Sequence, residues 1–451
     1  MSSYPNIKKL SEARFNALTF TREPLASYIS EELEWYTDND EIVIGTVLHD
    51  LIDNDFAYVT LGRDEQSLFR CIELNHSINN IDEARQMLLN SININTISGN
   101  HTFPQGDIKK RKNLIFKPIV PEDNLNTNFK HLLSSIGFSP AKEIIREIAY
   151  SYIDLDGNFI QQFQTTGFNP RLWELYLYAF LHEQLCYISE DNSTPDYICT
   201  KNGIDFCMEA VTVNPTQSGD TSSADSDVNK ENKDLNYYSI KYGSPLYSKL
   251  KEKYWELEHV KDKPLIFAIQ DFHEDKLIRD TSSVLSTYLY GHDAKWYHDA
   301  SGNLILSYVK IDEHKWQDKE IPSGFFYQPE TEHISGILFS NSATPNKFNR
   351  IGKSAGFGDA RVKILITGTC YNPNPQASTP LAFKQWVEED KYFEYWSQGL
   401  ELFHNPNALH PIKQELFPEI AHHIFEDGKI RSYIPDFHPM QSVTHNIVVG
   451  K

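Results

Sequence analysis

The sequence predicts a mixed α/β protein. Three observations carry that expectation. Short runs rich in β-branched and aromatic residues are bounded by turn residues. Ser-Pro and Asn-Pro pairs mark helix starts. The two kinds of segment alternate along the chain. In the first third, Glu41–Leu48 and Phe56–Leu61 read as strands either side of the turn Asp53–Asp55. Phe69–Leu74 adds a strand, Asp82–Leu89 a helix, and the polar stretch Asn93–Gly106 a loop. Lys109–Lys112 is the dense basic run and reads as a solvated surface segment. In the middle, Ser139-Pro140 starts a helix through Tyr152. Asn169-Pro170, read as N-cap and N1, starts another to Cys186. A short strand Cys186–Glu190 and two strands around Asn202-Gly203 follow. Thr212–Asn236, rich in Ser, Thr, Asn and Asp, reads as a mobile loop. Ser244-Pro245 opens a helix to Glu258, and Leu265–Gln270 is a buried strand. Further on, Ile334–Ser340 and Val362–Gly368 read as strands and Ala382–Tyr395 as a helix, before a tail rich in His and Pro. The expected organisation is a small α/β region at 1–135, a central domain at 136–275 and a further α/β region at 276–451.

Composition bounds the function. The 451 residues are 40% hydrophobic and 13% aromatic, enough to build a packed core. With 42 basic and 62 acidic residues the net charge is −20, which excludes a free-standing basic nucleic-acid coat protein. The sequence has no uncharged apolar stretch of about 18 residues, so no membrane span is expected. Met1–Leu10 lacks the apolar core of a signal peptide. The five cysteines are odd in number, dispersed and free of CxxC spacing, as in a reducing compartment. Cytoplasm is therefore the expected location.

The candidate site lies in the central region. From Leu172 to Leu181 the helix is apolar except for Glu174. A buried carboxylate there needs a partner, a proton or a metal. An arginine partner or an outward orientation would satisfy it as well. Asn-Gly is the favoured pair of a two-residue type I′ turn. With Asn202-Gly203 as that turn, Lys201 pairs with Ile204, and Asp196 falls opposite Glu209. Cross-strand partners share a face at roughly 4.5–5.5 Å between Cβ atoms, where like charges repel. Glu209 also alternates with Cys207, Val211 and Val213, a core-facing set. Register thus proposes a carboxylate pair at the edge of a buried face. Such a pair suits Mg²⁺, which takes one or two carboxylates and keeps waters for a substrate phosphate. A longer turn would separate the two acids.

The element order is a helix carrying Glu174, a short strand, the strand with Pro195-Asp196, the strand with Glu209, a helix, and the strand Leu265–Gln270. This α-β-β-β-α-β order resembles the core of the PD-(D/E)XK, or restriction-endonuclease-like, superfamily. The resemblance covers about 100 residues, Pro170 to Gln270. It implies a central mixed sheet flanked by helices, with Asp196 and Glu209 holding Mg²⁺ (or Mn²⁺) and Glu174 assisting as a metal ligand. It departs from the family where the lysine two residues after the second acid should stand, for the motif reads Glu209-Ala210-Val211. In some members that lysine has migrated. The following helix offers Lys249, Lys251 and Lys253, and Lys249, placed one turn from the expected helix start, is the choice on the ground that a helix start favours phosphate.

The implied activity is metal-dependent hydrolysis of phosphodiester bonds in nucleic acid, DNA first, of the kind found in restriction or phage defence. The catalytic set would be Glu174, Asp196, Glu209 and Lys249. The missing motif lysine favours an alternative, a non-catalytic binding module on a degenerate nuclease fold. A third reading places a metal among the histidines His404, His410, His422, His423, His438 and His445, though no pair has HxxxH spacing. The acidic Thr212–Asn236 loop, leaving the Glu209 strand, would repel phosphates until displaced or ordered by a partner protein. Ile351-Gly-Lys-Ser354 lacks the earlier glycine of a phosphate loop, since position 347 is lysine.

Overall fold

A computed structural model of the chain describes residues 4–106, 115–214, 227–272 and 281–450. Among these the protein is mixed α/β, with ten α-helices and several sheets. No helix among the described residues is long and apolar enough to cross a membrane. The Lys109–Lys112 run lies outside the described residues.

Near the N-terminus, five strands form an antiparallel sheet: Ile7–Lys9, Ser30–Asp38, Val43–Asp50, Phe56–Arg63 and Phe69–Ile78. The helix Ile81–Ile97 packs on it through Leu88 and Ile92 against Val43, Val47 and Tyr58. This helix runs eight residues beyond the expected end and takes in part of the expected Asn93–Gly106 loop. Its N-cap Asn80 accepts from the Glu83 N–H. Its packed face ends at buried Ser91 and Ile92, and in the polar stretch beyond them Asn95 Nδ2 and Thr96 Oγ1 donate back to Ser91 O and Ile92 O at 2.9 and 2.8 Å within the continuing helix.

The central sheet has eight strands. From one edge they run Tyr187–Ile188, Tyr197–Lys201, Ile204–Val213, Leu265–Asp271, Gly336–Ser340, Glu401–His404, Ala421–Glu426 and Lys429–Tyr433. Ile204–Val213 pairs parallel with Leu265–Asp271, which pairs parallel with Gly336–Ser340. The sheet therefore draws strands from both sides of residue 275, and the large core that packs on it includes residues from Phe15 to Ile420.

The helix Phe168–Glu183 lies on one face of this sheet. Leu172, Trp173 and Leu175–Leu177 are fully buried, each such side chain contributing ~1.5–3 kcal/mol by leaving water. The Trp173 indole N–H donates to Ala268 O at 2.9 Å, which satisfies the ring's polar atom inside the core. The helix begins two residues before Pro170, with Gly167 at the cap, so Asn169 is not the N-cap.

Two expectations on the other face are corrected. A single helix spans Asp227–Leu250 with Pro245 inside it, so no helix starts at Ser244-Pro245 and none reaches Glu258. An interior proline removes one backbone hydrogen bond. Burial of Tyr242, Leu246 and Leu250 against Cys207, Val211 and Phe267 offsets that loss. The expected loop Thr212–Asn236 shrinks at both ends, because Thr212 and Val213 are strand and 227–236 are helical. Its residues 215–226 lie outside the described residues.

A third correction concerns Ala382–Tyr395. Leu381–Trp386 is a strand, paired antiparallel with Val362–Cys370, which also pairs with Pro439–Val448. Ladder pairing with Val362–Cys370 overrides the helical composition of the segment.

Candidate active site

The hairpin forms in the expected register. Lys201 faces Ile204, Thr200 faces Asp205, and the ladder continues to Tyr197 facing Met208. Asn202 and Gly203 carry φ of 53° and 73°, the left-handed pair of a type I′ turn. Asp196 sits one residue beyond the ladder, beside Glu209. Its backbone N–H donates to Glu209 Oε2 at 3.2 Å, and its Oδ2 accepts from the Ala210 N–H at 2.8 Å. The Glu209 side chain thus bonds the Asp196 backbone, and the Asp196 side chain bonds the backbone of Ala210, next to Glu209, across the end of the hairpin.

The strand Ile204–Val213 is covered on both faces. Phe206 and Met208 belong to the core under the Phe168–Glu183 helix, whereas Cys207, Val211 and Val213 pack against the Asp227–Leu250 helix. Glu209 shares the second face and is 4% exposed. There Lys249 Nζ donates to Glu209 Oε1, and Tyr254 Oη donates to the same oxygen at 2.9 Å. Lys249 Nζ also reaches Tyr254 Oη at 3.4 Å. Burial works to lower the Lys249 ammonium, but the facing Glu209 carboxylate overrides it and holds the group above its ordinary value. Lys249 lies in the last turn of its helix and not near a helix start. Its charge therefore complements the C-terminal end of the dipole, and the phosphate-at-the-start rationale falls. Lys253 instead meets Glu330, and Lys251 is exposed.

Glu174 approaches from the opposite helix and is 6% exposed. Arg171 Nη1 donates to both of its oxygens, at 2.9 and 2.7 Å, and Tyr152 Oη donates at 3.2 Å. Arg171 is braced by Gln162 Oε1 at 2.8 Å and Asn158 Oδ1 at 3.0 Å. Burial raises the Glu174 carboxyl, and Arg171 offsets part of that shift. The arginine lies three residues before the acid, a helix spacing legible in the sequence. Tyr254 was not legible, because it follows the end of the helix and reaches Glu209 only through the tertiary packing.

The three acids act on one another. Burial, and then the charges of Glu209 and Glu174, push the Asp196 carboxyl well above the ordinary carboxylate range. Two cations, Arg171 and Lys249, face three carboxylates. The donors are all oxygens, which suits a hard cation. Among the described residues, no group of three or more His, Cys, Asp or Glu is arranged to hold a metal ion. With Glu174 engaged by Arg171, the Asp196–Glu209 pair is the part of the cluster with the one or two carboxylates that Mg²⁺ takes.

Asp196 also lines a cleft of about 660 Å³. Arg22, Gln66 and Arg70 from the N-terminal region line it, as do Arg171, Tyr187 and Asp196 from the central region.

Of the C-terminal histidines, His404, His422 and His423 lie on strands of the same sheet and His445 on the strand Pro439–Val448 of another sheet. His404 and His422 share a hydrogen bond of 2.9 Å, while His423 and His438 contact Glu401 at 3.0 and 3.4 Å. Burial lowers His404 to about 4, so its ring is neutral near pH 7. Lys347 and Arg350, near the dismissed phosphate-loop segment, are buried on Glu394.

Comparison of the chain with models of known protein families, with curated proteins and with solved structures finds no match.

Proposed function

We propose that the protein is a metal-dependent nuclease of the restriction-endonuclease-like kind. One observation carries the reading: Asp196 and Glu209 meet at the end of a hairpin, with Lys249 on Glu209 and a cleft open to Asp196. The element order from Phe168 to Asp271 is helix, three strands, helix, strand, which supports the α-β-β-β-α-β likeness.

In this reading Asp196 and Glu209 hold Mg²⁺ or Mn²⁺. The bound ion would supply an acidified water and neutralise charge on a phosphate. Lys249 donates to Glu209 and would place an ammonium beside the reacting phosphate, where fixed positive charge stabilises developing negative charge. It thereby takes the place of the lysine absent at position 211. Tyr254 fixes the Glu209 carboxylate by a second donor. Arg171 and Tyr152 donate to the Glu174 oxygens, so in this reading Glu174 is engaged by the protein and is not itself a ligand. Phage or restriction defence is the biological setting this class suggests, with DNA as the first substrate to try.

A second reading has its own support. Each acid already has a protein donor, and no group of three acids or histidines is arranged for a metal among the described residues. That favours a non-catalytic binding module. Cleavage assays in Mg²⁺ and Mn²⁺ with Asp196→Asn and Glu209→Gln separate the two, alongside Mn²⁺ titration calorimetry. The nuclease reading expects at least about 100-fold loss of cleavage and weaker Mn²⁺ binding in both variants, each still unfolding cooperatively as a folded protein. Wild-type protein that neither binds Mn²⁺ nor cleaves would leave the binding module.

A further inference from the structure

The cleft at Asp196 is small, and its two walls come from different parts of the chain. Its 660 Å³ falls within the roughly 300–1,000 Å³ of small-molecule sites. A duplex, whose major groove alone is about 12 Å wide, does not enter a cavity of that size. Enzymes that reach a nucleotide from such a pocket take it unpaired or extruded from the stack.

The lining suits one nucleotide unit. Tyr187 stands on the edge strand of the central sheet with 58% of its surface exposed, a ring free to stack on a base. Single-strand binding sites combine such aromatic platforms with cationic groups along the backbone. Across the cleft, Arg70 contributes a guanidinium, held 3.9 Å from the buried carboxylate of Asp64. Arg22 is fixed by Glu32 at 2.9 Å. Both arginines come from the N-terminal region, so that region forms one wall of the cleft.

The lining also has a charge excess of the wrong sign for a bare polyanion. Glu23, Asp154, Asp156, Glu190 and Asp196 outnumber the arginines Arg22, Arg70 and Arg171. A bare phosphate is therefore repelled by this lining unless its excess charge is offset.

We propose that the cleft between the N-terminal region and the Asp196 hairpin binds a single unpaired nucleotide of a nucleic-acid strand, with Tyr187 stacking on its base, Arg70 meeting its phosphate, and a divalent cation required for entry. The proposal rests on the nuclease reading of Asp196 and Glu209.

The test measures binding, not turnover. Fluorescence anisotropy of a labelled oligothymidylate is compared with that of a duplex closed at both ends by hairpin loops of non-nucleotide linker. Both are measured with the full chain in Ca²⁺ and in EDTA. The expected result is at least tenfold tighter binding of the single strand than of the closed duplex in Ca²⁺, and loss of binding in EDTA. Tyr187→Ala should weaken single-strand binding about five- to tenfold, as expected for one base–ring stack. Tyr187→Trp should retain it. Arg70→Gln should weaken it severalfold, with Mn²⁺ affinity unchanged by calorimetry. Tyr187 is exposed, so its variants report on binding even where Arg70→Gln melts early. Equal affinity for strand and closed duplex, or wild-type single-strand affinity in Tyr187→Ala, overturns the proposal. If the closed duplex is nevertheless cut in Mg²⁺ and Asp196→Asn abolishes the cut, the nuclease reading survives without it. Absence of binding to either probe, together with absence of Mn²⁺ binding, removes both.

Discussion

The contact between Lys249 and Glu209 makes the sharpest prediction about the site. Glu209 is almost wholly buried, with its side chain 6% exposed, while that of Lys249 is 35% exposed. Removing one partner of a buried pair typically costs about 3–5 kcal/mol, because the other charge is left uncompensated. Two features reduce the cost here. Solvent reaches the lysine and screens the pair, and Glu209 keeps the Tyr254 hydroxyl and the Asp196 N–H as donors. One feature works the other way, since the charge of Asp196 lies beside Glu209. Lys249→Met is therefore expected to lose about 2–3 kcal/mol of stability in urea melts at pH 7. Glu209→Gln should lose only about 1 kcal/mol, because the freed ammonium can turn to water. The double variant should return to within about 1 kcal/mol of wild type, with no buried charge unpaired. The coupling energy from the cycle then reports the pair directly. A Lys249→Met variant as stable as wild type, or additive single effects, would show that the ammonium does not hold Glu209. The same variants read function: Lys249→Met should lose cleavage with Mn²⁺ affinity near wild type, whereas Lys253→Met should cleave normally.

Other outcomes follow from the charges. The Asp196 carboxyl is raised in the fold, so its ionised form opposes folding, and that penalty grows as pH climbs above the unfolded value of about 3.9. Asp196→Asn, which can still accept from the Ala210 N–H, should thus raise the melting temperature at pH 8 and leave it unchanged below pH 4. Glu394 shows the opposite sign. Burial pushes it up, but Arg350 and Lys347 outweigh that and hold it down to about 2. Its contribution is present above about 4.5 and lost as pH falls through about 2, so Glu394→Gln should cost on the order of 3 kcal/mol at pH 7 and little near pH 2 in acid and urea melts. Arg171→Met should destabilise the fold by about 2–4 kcal/mol by stranding Glu174, and Arg171→Met/Glu174→Met should recover most of that loss in the same urea assay.

The heart of the site could be read in one dimension because its rules are local. Asn202-Gly203 admits a two-residue turn, the turn sets the register, and the register alone brings Asp196 to Glu209. An apolar helix with one acid announces that the acid needs a partner, and Arg171 stands three residues before it. What the sequence could not decide depended on which surfaces meet. The helix expected from Ser244-Pro245 to Glu258 carries three lysines, and periodicity does not choose among them. Lys249 reaches Glu209 only because Tyr242, Leu246 and Leu250 seat their helix on the odd-numbered face of that strand, and Pro245 does not stop it. The segment 382–395 reads as helix until Val362–Cys370 offers its ladder. The central sheet is wider than its hairpin implies because strands from 336 to 433 join it. The cleft exists only where residues near 22 and 70 face the edge strand at 187. Turn geometry and helix spacing are written within a few neighbouring residues. Backbone pairing and face-to-face packing are settled between segments far apart in sequence, by which buried surfaces and unpaired hydrogen-bonding edges find each other in the folded chain.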